Sequence, residues 1–336
     1  MNATDFLSSN RYFYLPTKRN PKVVLSVDSR KLSKNAFELY NPFSFKAKLL
    51  RFAAAFCFHY INGLSKNITG SKQARKSDFI AYLETLLNQP LVSSVYLATE
   101  KDKVVLQLQA ADFKVVGYLK YPLNYIGGER LQNEQKAIEI LSQRNVIEKY
   151  ILCDEYHGDQ FILLKALEGK IGQVSRQELD NLLLKFNRGM SYRLINHPRI
   201  IQLKSNLAGV GMESYAAMLE SVCQSSTLEY LQVYEHGDFT PWNIMKVEGQ
   251  YIPFDLEYFI EDGLEFLDLI KYYYQVGRLL KKKKEKSLIS YLYKNLKIPE
   301  VKYLLQIFLI KEILLKDSNK IAYDFEVNIL NVVRSS

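Results

Sequence analysis

The sequence predicts an α+β chain of two lobes, a small antiparallel β lobe followed by a larger, mostly helical one, with an N-terminal extension in front of both. Three observations carry this. From Ser93 onward the stretches 95–97, 104–108 and 115–121 read as successive strands across polar turns at 100–103 and 110–112, the pattern of an antiparallel meander. Beyond Gly172 apolar residues recur at helical spacing over 176–194, 214–223, 288–296 and 301–315. No repeat or low-complexity linker interrupts the chain, so the boundaries follow from these changes of pattern: 1–92 for the extension, 93–170 for the β lobe and 171–336 for the helical lobe.

In the extension, strand-like pieces at 11–15 and 23–27 precede helical patterns at 45–62 and 78–87. Three roles are open to it: shaping an acceptor site, binding a partner, or covering an exposed sheet edge. Its most apolar run, 49–61, contains Arg51 and His59 and is too short to span a bilayer. With Lys46, Lys48 and Arg51 beside Phe52, Phe56 and Phe58, the run suits a helix packed on the body of the protein or one in peripheral contact with a membrane surface.

In the β lobe, Lys120 ends the third strand on the same face as Tyr118. The helical stretch 129–141 then sets Glu134, Ala137, Ile138 and Leu141 on one face. A strand-end lysine held by a glutamate of the next helix is what phosphoryl transfer uses to hold the α- and β-phosphates. Glu134 is the candidate partner, with Glu129 and Glu139 as rivals; a solvated strand-end charge is the plain alternative for Lys120. No Gly-x-Gly-x-x-Gly loop precedes these strands, and Ser93 and Ser94 are candidate phosphate donors in its place. The stretches 146–153 and 160–167 read as the last two strands of the lobe.

The chemistry is concentrated in His236-Gly237-Asp238-Phe239-Thr240-Pro241-Trp242-Asn243, followed by Pro253-Phe254-Asp255-Leu256-Glu257. Turn formation alone explains Gly, Pro and Asn. It does not explain an acid at the end of the apolar strand Tyr251-Ile252-Pro253-Phe254, where a carboxylate costs free energy unless a metal or donor compensates it. In kinase-type sites one Asp accepts the proton of the attacking hydroxyl, an Asn follows as a magnesium ligand, and a second Asp beyond a short hairpin binds magnesium and orients the triphosphate. Asp238, Asn243 and Asp255 have that order and spacing.

This segment resembles the aminoglycoside phosphotransferase and choline kinase family of small-molecule kinases, which have a protein kinase-like fold. The resemblance covers roughly 93–280. It implies that Asp238 is the catalytic base, Asn243 and Asp255 the Mg2+ ligands, and His236 a structural tie for the loop. It also implies that Asp268 braces the loop from the following helix, and that main-chain groups at Lys165, Ala166 and Leu167 meet the adenine edge. Thr240 and Trp242 stand where the family often has basic or small residues, and Leu256-Glu257 follows Asp255 in place of an aromatic; these departures bear on subfamily and substrate more than on chemistry. The implied reaction moves the γ-phosphoryl of ATP or GTP to a hydroxyl of a small molecule. A sugar or glycan ranks first as acceptor, because the extension suits a substrate larger than choline. The alternative is a nucleotide-binding pseudokinase or an interaction protein without turnover, against which the complete set of Lys, Glu, Asp, Asn and Asp speaks.

Composition sets the remaining bounds. With 336 residues, 48% of them hydrophobic, the chain can bury a substantial core. A formal charge of +9 favours anionic partners, but no nucleic-acid-binding module accompanies it, so no nucleic acid is expected. Cys57, Cys153 and Cys223 are odd in number and far apart, which predicts buried thiols and neither disulfide nor zinc site. The polar opening, 1–10, has no signal-peptide pattern, and a cytoplasmic location follows as an expectation. Lys281 to Lys284 close a helical pattern, where cations complement the helix dipole. The oligomeric state has no signature in the sequence.

Overall fold

The computed structural model describes residues 3–8, 11–17, 19–39, 45–60, 70–71, 77–97 and 102–335. The chain divides into two compact units, Met1–Ser142 with Glu148–Leu167, and Gln143–Ile147 with Glu168–Ser336.

The first unit is built on eight strands: β1 (Arg11–Pro16), β2 (Pro21–Ser26), β3 (Gly70–Ser71), β4 (Leu91–Leu97), β5 (Lys103–Ala110), β6 (Val115–Pro122), β7 (Leu152–Tyr156) and β8 (Asp159–Lys165). They form one sheet in the order β3-β1-β2-β4-β5-β6-β8-β7, and every pairing is antiparallel. The expected meander is β4 to β6, with Val95 opposite Leu106 and Leu106 opposite Leu119. Among the described residues it is accompanied by the α-helices α1 (Arg30–Ala36), α2 (Phe45–Tyr60), α3 (Asp78–Leu87) and α4 (Tyr125–Gln143).

The described part of 1–92 is continuous with this sheet rather than a separate extension. Val24 of β2 lies opposite Val95 of β4, so β1 and β2 cover the edge that β4 would otherwise expose. Alternation along the strands divides their apolar side chains between two cores. Tyr12 and Val24 join Phe79, Ile80 and Leu83 of α3 with Leu106, Leu119 and Phe161, while Phe13, Leu15, Val23 and Leu25 join Ala36, Phe37 and Ala54. Ser93 and Ser94, considered as phosphate donors, are fully buried in this junction. Ser93 Oγ donates to the Phe6 carbonyl and Ser94 Oγ accepts from Ser26 N–H at 3.0 Å, so both are spent on structure.

Of the turn expected at 100–103, residues 100 and 101 lie outside the described set, Lys103 opens β5, and Asp102 is buried against Arg130 of α4 at 2.8 Å. Its carbonyl accepts from Leu123 N–H, and a Cβ on Gly127 would stand 2.0 Å from that carbonyl oxygen, which is why α4 carries a glycine in its first turn. The strand expected at 146–153 starts later, at Leu152, where pairing with β8 begins opposite Leu163.

The second unit contains two three-stranded sheets, β10-β11-β14 and β13-β12-β9. Their strands are β9 (Lys170–Ile171), β10 (Asn187–Arg193), β11 (Glu229–Glu235), β12 (Ile244–Val247), β13 (Gln250–Pro253) and β14 (Ile260–Leu264). The helices are α5 (Arg176–Leu184), α6 (Pro198–Gly209), α7 (Glu213–Ser225), α8 (Leu267–Gln275), α9 (Glu285–Leu296), α10 (Val301–Ser318) and α11 (Asp324–Ser335). The helix expected over 176–194 stops at Leu184. Its start is fixed by a capping box between Ser175 and Glu178, and residues from Asn187 on pair with β11 as a strand, Tyr192 opposite Tyr230. Helices α6 and α11 have no counterpart in the sequence reading. Helix α6 opens on Pro198, with the buried His197 as its N-cap; His197 Nδ1 accepts from Arg199 N–H at 3.2 Å. Cys153 and Cys223 are free thiols, Cys223 buried and Cys153 only partly, and burial raises the pKa of both. The Cys57 side chain and Asn62 lie outside the described set.

Gly117 in β6 has no space for a side chain, since a Cβ would stand 2.2 Å from the Leu164 carbonyl oxygen of β8. Gly117→Ala should therefore destabilise the protein by about 1–3 kcal/mol, read by urea unfolding. Burial lowers the pKa of His197, so the native state holds it neutral where the unfolded chain takes up a proton near its ordinary value of about 6.5. The unfolded state then binds more protons, and stability falls as pH drops through that range. His197→Asn, which keeps a cap and removes the titration, should flatten the fall in melting temperature between about pH 7 and 5.

Candidate active site

The stretch 236–243 leaves β11 and enters the hairpin β12–β13. Glu248 and Gly249 at its tip both have positive φ, the geometry a two-residue hairpin turn requires. The ladder runs from Val247 opposite Gln250 to Ile244 opposite Pro253, and Phe254 N–H then donates to the Asn243 carbonyl at 3.0 Å. Asn243 and Asp255, twelve positions apart in the chain, are thereby brought to the same end of one hairpin. Asp255 takes φ +63°, which turns the chain out of the strand direction at that point.

His236 is fully buried and ties the loop to this hairpin. Its Nε2 lies 3.0 Å from the Phe254 carbonyl and its Nδ1 3.4 Å from Asp238 N, which assigns the neutral tautomer with the proton on Nε2. Burial lowers its pKa, against the neighbouring Asp238 and the Phe254 carbonyl, in keeping with that neutral form. Gly237 has φ +81°, and a Cβ there would fall 2.1 Å from the Tyr258 carbonyl oxygen, so only glycine fits. The N–H groups of His236 and Gly237 donate to Asp268 at 2.7 and 3.1 Å. Asp268 therefore braces the loop from the first turn of α8, as the resemblance implied.

Asp238 is the partly exposed member of this set, its side chain 32% accessible. Asn243 Nδ2 donates to both the Asp238 carbonyl (2.9 Å) and its Oδ2 (3.0 Å). With its amide hydrogens directed there, Asn243 presents Oδ1 as an acceptor. Asp238 Oδ1 lies 3.6 Å from Lys271 Nζ, which also contacts both oxygens of Glu312 at 2.8 and 3.0 Å. Lys271 and Glu312 are almost wholly buried. Burial alone would depress the lysine, but Glu312 and Asp238 outweigh it and raise its pKa, so it is a fixed cation beneath the loop.

A second buried group lies one residue before the loop. Glu235 pairs with Lys311 of α10, and Arg199 of α6 stands 3.7 Å from its other oxygen. Four carboxylates (Glu235, Asp238, Asp268, Glu312) thus face three cations (Arg199, Lys271, Lys311). Asp268 has amide donors in place of a close cation, and burial, reinforced by Glu235, pushes its pKa up to about 7.

In the first unit, Lys120 Nζ contacts both oxygens of Glu134, at 2.7 and 2.8 Å, and both residues are buried. The rivals are occupied elsewhere: Glu129 accepts from Tyr125 and Glu139 from Tyr150. Strand β8 ends at Lys165, whose side chain pairs in solvent with Glu148 at 2.9 Å, and Ala166 and Leu167 follow without regular structure. Their main-chain groups are what the hinge reading uses.

Asn243 and Asp255 offer oxygen donors suited to a hard divalent cation. Among the described residues no three His, Cys, Asp or Glu side chains gather to enclose a metal. Sequence reading missed Lys271, Glu312, Glu235, Lys311 and Arg199. The adjacent charges Lys311-Glu312 inside the apolar run 304–315 were the available signal, since charges so placed need buried partners.

No family model and no curated protein sequence matches the chain. Solved structures do. A macrolide 2′-phosphotransferase of Brachybacterium faecium is 13% identical at a TM-score of 0.50, over 76% of this chain and 97% of that one. An aminoglycoside phosphotransferase of Streptomyces rimosus is 13% identical at 0.44, over 70% and 98%. A choline/ethanolamine kinase family protein of Mesorhizobium loti is 12% identical at 0.43, over 76% and 91%. At such identities the likeness is one of fold, the protein kinase-like fold of small-molecule phosphotransferases.

The Lys271–Glu312 pair yields a test that needs no substrate. Lys271→Met leaves Glu312 buried without its cation and should cost about 3–5 kcal/mol of stability, whereas Lys271→Met with Glu312→Leu should cost markedly less. Denaturant midpoints of the single and double variants read the difference.

Proposed function

We propose that this protein is a phosphotransferase that moves the γ-phosphoryl group of ATP or GTP, supplied with Mg2+, to a hydroxyl group of a small molecule. The observation that carries the reading is the setting of Asp238. It is partly exposed and held by Asn243 and Lys271 on a loop that the buried His236 and Asp268 fix in place. A carboxylate so fixed can accept a hydrogen bond from an incoming hydroxyl and take its proton as the phosphoryl group leaves.

Asn243 and Asp255 would hold the magnesium that arrives with the nucleotide. That cation supplies charge neutralisation on the phosphates. Lys120, kept in place by Glu134, would bind the α- and β-phosphates, and the main chain at Lys165, Ala166 and Leu167 the base. Transition states of this kind are loose, so positioning and charge stabilisation supply most of the rate and a strong base is not required. The preformed Lys120–Glu134 contact and the braced loop suit that demand, because their reorganisation is complete before substrate binds.

For the acceptor, a saccharide or a saccharide-bearing compound is our first reading. The macrolide 2′-phosphotransferase, by its name, transfers phosphate to a position of a macrolide, and a chain of this fold with 24 Tyr and 18 Phe can stack on sugar rings. A cytoplasmic location, where nucleoside triphosphate is kept, belongs to the same proposal.

The test is transfer of label from γ-labelled ATP across a panel of sugars, glycans, aminoglycosides, macrolides and choline, with and without Mg2+. Asp238→Asn should lower turnover by about 10²–10⁴-fold with the fold intact, and Asp255→Asn should do so at least as fully while also removing Mg2+-dependent thermal stabilisation by nucleotide. Nucleotide stabilisation without transfer to any acceptor would support a pseudokinase; neither stabilisation nor transfer would sink the proposal.

A further inference from the structure

Helix α2 presents its two sides to different surroundings. Ala54 is buried with Phe13, Leu25 and Phe37, which seats one side on the sheet. Leu49, Phe52, Phe56 and Tyr60 recur every three or four residues and so share a stripe. They are 58%, 67%, 45% and 67% exposed. The rings stand in a row, Phe52 to Phe56 at 6.5 Å between centroids and Phe56 to Tyr60 at 4.9 Å. Scattered exposed apolar residues are ordinary, but four large ones in line mark a surface that something covers.

The surrounding charge indicates what that is. Between Glu38 and Asp78 the sequence has seven Lys or Arg residues and no Asp or Glu. Helix α1, which packs against α2, adds exposed Arg30, Lys31 and Lys34, with Asp28 and Glu38 as the exposed acids on either side of them. The Arg30 guanidinium lies 5.2 Å from the Tyr60 ring centroid. Interface cores between proteins are depleted of lysine, whereas a row of aromatic and leucine side chains bordered by lysine and arginine suits the headgroup zone of an anionic bilayer. At 16 residues α2 is too short to cross, and no described helix is long and apolar enough to do so.

We propose that α2 lies in the plane of an anionic lipid surface, its Leu49, Phe52, Phe56 and Tyr60 stripe at the acyl boundary and the exposed Arg30, Lys31 and Lys34 of α1 at the phosphates. This stands apart from the phosphotransferase reading. The test is sedimentation of the full-length protein with phosphatidylcholine vesicles, with and without phosphatidylglycerol. Wild type should bind the anionic vesicles, less so at high salt, and Phe52→Ser with Phe56→Ser should weaken binding at least about tenfold. Both side chains are exposed, so the melting temperature should stay unchanged and separates lost binding from lost fold. Absence of binding to anionic vesicles, or equal binding by the variant, overturns the proposal. So does self-association of the wild type without lipid that the variant loses, since a second copy would then be what covers the stripe.

Discussion

A chain that turns out of a β-strand inside a protein leaves its next amide N–H groups without a neighbouring strand, and at His236 and Gly237 those donors go to the carboxylate of Asp268. Leaving them unmet would cost about 1–3 kcal/mol each. The rest of the loop depends on this contact. Because it fixes the two peptides before Asp238, the carboxylate of Asp238 starts from a set position, and the Asn243 amide and the Lys271 ammonium complete its orientation. His236 then transmits the same constraint to the hairpin through the Phe254 carbonyl, one residue before Asp255.

Beneath the loop lies an unusual density of buried charge. Such pairs contribute little net stability, because desolvation offsets most of their attraction, but a partner left alone is costly. Their consequence is that few arrangements of the loop are tolerated: moving Glu235 would strand Lys311 and Arg199, and moving Asp238 would leave Lys271 to Glu312 alone. Lys311 and Glu312 are neighbours on α10, so one helix supports both the residue preceding the loop and, through Lys271, its exposed acid.

The first unit meets a similar demand differently. Lys120 and Glu134 are fixed by a sheet buried on both faces at its β1–β2 end and by a helix whose start depends on Gly127 lying against Asp102. The N-terminal strands add two rungs to that sheet and absorb Ser93 and Ser94 into its interior. Substrate contacts are therefore not what those serines are for.

Much of this was legible in the sequence, for definite reasons. The meander, the Lys120–Glu134 pair and the loop with its hairpin follow from local spacing: strand alternation, one helical face and turn residues; the bracing Asp268 followed from the family resemblance. Gly237 admits almost no other residue, since a Cβ there would meet the Tyr258 carbonyl. Other features follow from contacts between distant segments. Residues 187–193 became a strand because β11 offers a partner; the first strands joined the sheet because β4 had a free edge. Lys271, Glu312, Lys311 and Glu235 converge from three elements that no periodicity links. The sequence by itself determined which side chains could do the chemistry, since those are fixed by residue type at short range. Only the tertiary structure decided which charges sit beneath them, because burial and pairing depend on segments that meet solely when the chain is folded.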